Sequence, residues 1–95
     1  MNNMEQKLEY INKGRGGYVV YKDNKNGLKL FFEFGGGNCV AIIYIPTIEK
    51  WTEGTKINLE EREGIMKFIA EQSIKDQAPS CNYELHADYI RLVTK

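Results

Sequence analysis

Leu28-Lys29-Leu30-Phe31-Phe32-Glu33-Phe34 is the stretch that decides the fold. Side chains along a strand alternate between its two faces. Leu28, Leu30, Phe32 and Phe34 therefore share one face, and Lys29, Phe31 and Glu33 share the other. This is the pattern of a half-buried antiparallel strand, with one aromatic, Phe31, on its wet side. Upstream, Tyr18-Val19-Val20-Tyr21-Lys22 is rich in β-branched and aromatic residues and reads as a second strand. Asp23-Asn24-Lys25-Asn26-Gly27 lies between the two, and its Asn-Gly step is a strong hairpin signal. Downstream, Gly35-Gly36-Gly37-Asn38 turns the chain into Cys39-Val40-Ala41-Ile42-Ile43-Tyr44-Ile45. That run is apolar on both faces, as in a central strand. Pro46 ends it because proline has no N–H to give to the ladder.

Further out the signals change period. Lys7-Leu8-Glu9-Tyr10-Ile11 is a short strand or a loose turn, and residues 1–6 are a candidate disordered start. Asn12 to Gly17 is a glycine-rich turn. Thr47 to Ile57 reads as a connector carrying the single tryptophan, Trp51. Asn58 is a good N-cap, and Glu61 is placed to close a capping box with it. The helix that follows turns Leu59, Ile65, Met66, Ile69, Ala70, Ser73 and Ile74 to one side. Its outer side holds Glu60, Glu63, Lys67, Glu71 and Lys75, with Glu63–Lys67 and Glu71–Lys75 as i,i+4 pairs. The helix stops near Gln77, ahead of Pro79. Tyr83–Leu85 and Tyr89–Val93 close the chain as strand, with a slip in apolar phase between them. His86-Ala87-Asp88 is either a bulge or a tight loop. The expected order is β-β-β-α-β. It describes one α+β domain over residues 1–95: an antiparallel sheet of four to six strands with one helix on one face.

Composition narrows the function. The chain has 95 residues, with 13 basic side chains against 13 acidic ones. A binder held on nucleic acid by net charge is disfavoured. The longest apolar run, Cys39 to Ile45, is too short to span a bilayer. The start of the chain lacks the apolar core of a secretory signal, so a cytoplasmic location is expected. There Cys39 and Cys81 stay thiols, the first as a small buried hydrophobe and the second as a loop residue. No metal or cofactor is expected: His86 is the single histidine, and no Cys-x-x-Cys or His-x-x-x-His spacing occurs.

The residues that could carry chemistry have plainer readings. His86 has no nucleophile spaced to pair with it, and neither Ser73 nor Ser80 sits in a Gly-x-Ser-x-Gly elbow. Glu60, Glu61 and Glu63 complement the dipole of a helix start. Gly35-Gly36-Gly37 joins two strands rather than a strand and a helix, so it is a hairpin loop and not a phosphate loop. An enzyme is not expected. Phe31 with Tyr18, Tyr21 and Tyr44 could stack bases, but cross-strand packing explains these aromatics more simply. Arg62 falls inside the apolar side of the helix. It must snorkel, pair with an acid or lie on an aromatic such as Trp51. Phe68 is drawn to the outer side, where it packs at the sheet rim or marks a partner surface.

One pattern has a wider echo. Tyr44 ends a strand, Ile48-Glu49-Lys50-Trp51 follows, then Gly54 and Ile57, an acid-rich helix start, Arg62-x-x-Ile65-x-x-x-Ile69 and a closing strand. This order resembles small cytosolic immunity proteins of bacterial polymorphic toxin systems. The resemblance spans Tyr18 to Leu92. It implies a non-catalytic inhibitor that neutralises a cognate protein toxin by direct binding. The glycine loop at Gly35–Gly37 and the tail around Pro79-Ser80-Cys81 depart from the pattern. The candidate contact residues are Phe31, Glu33 and Tyr44 on the sheet, Trp51 in the connector and Phe68 on the helix. The alternative is an accessory module that self-associates, as a homodimer through edge strands or exposed aromatics.

Overall fold

The computed structural model describes residues 5–95. The candidate disordered start thus lies mostly outside the described residues. Glu5 and Gln6 are inside them: the Glu5 N–H donates to Asn24 Oδ1, and Gln6 Nε2 donates to the Tyr21 hydroxyl.

The architecture is α+β. Six strands form one antiparallel sheet: β1 (Lys7–Asn12), β2 (Gly16–Lys22), β3 (Gly27–Phe34), β4 (Cys39–Tyr44), β5 (Cys81–Leu85) and β6 (Tyr89–Thr94). Their spatial order is β1-β2-β3-β4-β6-β5. Lys7–Asn12 is a full edge strand, with Leu8 opposite Tyr21 and Tyr10 opposite Val19. The two closing segments form a hairpin: the His86 N–H donates to the Tyr89 carbonyl at 2.9 Å, closing a tight turn. Cys81 is not a loop residue. It opens β5 and is buried, while Cys39 is half-buried in β4, and both are free thiols.

The hairpin between β2 and β3 forms where the sequence predicts it, but by another turn. Gly27 already pairs with Lys22 inside the ladder. The turn is held by Asp23, whose Oδ1 accepts the backbone N–H groups of Lys25 at 2.8 Å and Asn26 at 2.7 Å. A carboxylate that mimics a backbone turn is the usual role of aspartate at such a position.

Two helices are present rather than one. The connector folds as α1 (Ile48–Thr55), stopped by Lys56 in the left-handed conformation at φ 63°. A single 3₁₀ turn, Leu59–Glu61, then leads into α2 (Arg62–Gln77). The capping box predicted at Asn58 and Glu61 does not form. The Asn58 carbonyl instead accepts the Trp51 indole N–H at 3.2 Å, and the Glu61 carboxylate accepts Asn26 Nδ2 at 3.2 Å. The 3₁₀ turn breaks helical phase, which leaves Leu59 exposed although the wheel places it on the apolar side. Ile65, Met66, Ile69, Ala70 and Ser73 follow the predicted periodicity and are buried.

One face of the sheet meets both helices. Val19, Tyr21, Leu30, Phe32, Ala41, Ile43, Ile90 and Leu92 from the strands join Trp51, Ile57, Ile65, Met66, Ile69 and Ala70 in one cluster. Arg62 ties this layer together. Its Nη2 donates to the Pro46 carbonyl at 2.9 Å and to the Ala87 carbonyl at 2.7 Å, and its guanidinium lies 5.8 Å from the Trp51 ring centre. Among the described residues, no helix is long and apolar enough to cross a membrane.

Candidate functional site: the uncovered sheet face

The helices cover one face of the sheet and leave the other open. The register decides which side chains meet there. Ile11 stands opposite Tyr18, Tyr18 opposite Phe31, and Tyr44 opposite Tyr89. The Phe31 and Tyr44 rings stack at 5.8 Å with their planes 13° apart, and the Tyr18 ring meets Phe31 edge-on at 5.9 Å. At the far end His86 stacks on Tyr89 at 4.4 Å. A band of rings thus crosses the sheet from β2 to β6, with Ile11 on β1 extending it. Phe31 is 43% exposed and Tyr44 39%. Aromatics held this way on strands are rigid, because neighbouring strands fix the backbone and the rings brace one another.

Charged groups of both signs flank the band. Lys29 Nζ sits 4.4 Å above the Tyr18 ring. Glu33 Oε1 accepts the Tyr44 hydroxyl at 2.7 Å. This bond to Glu33 raises the Tyr44 pKa above its ordinary value, since ionisation would set a phenolate beside a carboxylate. Gly16 stands opposite Glu33 and has no side chain to cover it. The gap becomes a depression of about 480 Å³ whose lining includes Lys13, Arg15, Tyr18, Phe31 and Glu33. On the other flank, Glu84 Oε1 lies 3.0 Å from His86 Nε2 and accepts Arg91 Nη1 at 3.2 Å. These two bonds hold the Glu84 carboxyl below the usual carboxylate range.

The five predicted contact residues divide. Phe31, Glu33 and Tyr44 come together as one patch on the open face. Trp51 is sealed in the core at 0% exposure. It presents no surface, which corrects its place among the contact candidates: the connector folds into a helix and turns its indole inward. Phe68 is half-buried on the helical side, where its ring meets Tyr21 edge-on at 5.8 Å. Tyr89, His86 and Arg91 belong to the open face and were missed as contact candidates. The period-two pattern of β6 puts Tyr89 and Arg91 on one face. Only the pairing of β4 with β6 shows that this is the face of Phe31 and Tyr44.

The side-chain partner of His86 is Glu84, and both are exposed. No group of three or more metal-ligating side chains occurs among the described residues. In comparisons with protein families, curated proteins and solved structures, nothing matches this chain.

Proposed function

We propose that this chain is a non-catalytic protein-binding domain that docks its partner on the uncovered sheet face. The observation that carries the reading is the ring band Tyr18–Phe31–Tyr44–Tyr89, held on paired strands with Glu33 and Arg91 beside it. Aromatic and arginine side chains supply most of the energy in protein interfaces. The interleaved charges favour a protein over a polyanion, because Glu33 and Glu84 would repel phosphates along the band. The resemblance to immunity proteins makes the proposed partner a cognate protein toxin. The domain would neutralise it by covering its active site or locking its motion, in the cytoplasm of a bacterium. Self-association through the same face is the second reading, since Phe31 and Tyr44 could equally bury one another in a homodimer.

The test begins with a pull-down from the native host using tagged protein. A stoichiometric partner is then purified and its affinity measured against the wild type and against a Phe31→Ala, Glu33→Lys double variant. Truncating a central aromatic and reversing its neighbouring charge should weaken binding by about 100-fold or more, the scale of two interface hot spots. Coexpression with the wild type should also relieve the partner's toxicity, and coexpression with the double variant should not. Unchanged binding by a folded double variant removes this face as the docking surface. A dimer in sedimentation that the double variant dissociates, with no other partner captured, would replace the inhibitor reading with self-association.

A further inference from the structure

We infer, resting on the reading of the open face as the docking surface, that the partner meets it with an acidic segment whose carboxylates are received by Lys13, Arg15 and Lys29. The chain as a whole is balanced, with 13 basic and 13 acidic side chains, but the open face is not. Toward β5, Glu84 holds Arg91 at 3.2 Å, and near the β1 edge Glu9 lies 3.9 Å from Lys22. Around Tyr18 and Phe31 the cations have no such match. Lys13 and Arg15 line the depression beside the two rings, and Lys29 Nζ stands over Tyr18. None of the three has a carboxylate within ion-pair distance among the described residues. The acid in the depression, Glu33, is already engaged by the Tyr44 hydroxyl. On α2, by contrast, Lys67 and Lys75 each follow a glutamate by four positions.

The turn that carries two of these cations is held still. The Lys13 N–H donates to the Gly16 carbonyl at 2.7 Å, and the Arg15 carbonyl accepts the Phe34 N–H at 2.8 Å. Gly14 takes φ 77°, and Gly16 lies so close to β3 that a Cβ there would collide with the Phe32 carbonyl oxygen. A backbone fixed in this way loses less entropy on binding than a mobile one. The depression of about 480 Å³ beside it admits an acidic side chain, with its stem on Phe31 and its carboxylate toward Lys13 and Arg15. Glu33 then selects between polyanions. Its carboxylate only accepts hydrogen bonds. Peptide N–H groups can supply them, and a phosphodiester backbone cannot. The occupant is therefore an acidic protein surface rather than a nucleic acid.

Hexaglutamate, hexalysine and hexathymidylate are the probes, each titrated into the protein at low salt and followed by amide NMR. Hexaglutamate should shift Lys13, Arg15, Gly16 and Lys29, leave Lys50, Lys67 and Lys75 on the helices unmoved, and bind more tightly than hexathymidylate. Hexalysine should move none of them. Lys13→Glu with Arg15→Glu should weaken hexaglutamate by about tenfold or more, the scale of two exposed charge pairs reversed. Both side chains are exposed, so the rest of the spectrum should stay that of the folded wild type. Preference for hexathymidylate, or hexaglutamate shifts spread over the helices, would overturn the acidic occupant. With a captured partner, the same double variant should slow association and flatten its dependence on salt. A partner weakened by Phe31→Ala, Glu33→Lys but not by this variant would overturn the acidic segment and leave the docking face standing. A partner indifferent to both variants would remove the docking face and the acidic segment with it.

Discussion

At the scale of single residues, buried polar groups find partners close in the chain, and this makes part of the structure sensitive to pH. The Tyr21 hydroxyl donates to Asp23 Oδ2 at 2.6 Å, beside the two backbone bonds that Asp23 Oδ1 accepts. Burial pushes the Asp23 carboxyl up, but these hydrogen bonds outweigh it and leave the group below its ordinary value of 3.8. Its contribution is therefore present above pH 3.8 and is lost as pH falls through the lowered folded value. Burial and the bond to Asp23 both raise Tyr21, pushing it from 10 up to about 12. Its contribution is complete below pH 10 and is lost as pH rises toward about 12. Asp23→Asn should cost about 1 to 2 kcal/mol at neutral pH and flatten both the acid and the alkaline limbs of stability, as read by urea unfolding across pH. Limbs as steep as those of the wild type would refute the coupling. Arg62 shows how much of this was legible beforehand. A cation on the apolar side of a helix has few resolutions, and one of those predicted, the Trp51 ring, is the one observed. Its bonds to the Pro46 and Ala87 carbonyls were not legible, because they depend on where two distant turns meet.

At the scale of elements, strands announced themselves and the first helix did not. Leu28–Phe34 alternates over a full strand, so its two faces followed from the period alone. Ile48–Thr55 has two turns, a glycine and two threonines, and its apolar anchor is essentially Trp51. That is too short a pattern for helical periodicity to emerge, and the helix is held by tertiary burial rather than by propensity. Glycine placement was legible only in outline. The turn glycine is Gly14 at φ 77°, whereas Gly16 and Gly17 lie within β2. Gly17 has φ 157°, and a Cβ there would sit 1.9 Å from the Ile11 carbonyl oxygen. Gly17→Ala should accordingly cost about 3 kcal/mol and weaken the pairing of β1 with β2. Gly36→Ala is the control: its Cβ meets nothing within 4 Å, and its effect should stay within about 0.5 kcal/mol. Thermal denaturation of the two variants decides the point, and equal losses would contradict the close approach of β1 to β2.

At the scale of the whole molecule, the open face was half legible. Phe31 and Glu33 followed from alternation, and Tyr18 and Tyr44 from hairpin neighbours. Tyr89 and His86 did not, because β6 joins β4 across both helices and β5, and sequence order carries no record of that pairing. The same long-range closure makes the fold cooperative. Trp51 belongs to α1, its indole N–H bonds the Asn58 carbonyl, and its ring lies in the cluster that joins sheet and helices. No part of the core can open without loosening another, so unfolding should be a single transition. Trp51 is the single tryptophan, and its fluorescence should therefore lose its buried character at the same midpoint at which far-UV circular dichroism loses the sheet. Trp51→Ala should remove about 3 to 5 kcal/mol, a large share of the roughly 5 to 15 kcal/mol that holds a domain of this kind, and lower both midpoints together. Separate fluorescence and dichroism midpoints in the wild type would mean that α1 detaches before the sheet melts. The helical layer would then be a flap on a pre-formed sheet rather than part of one core.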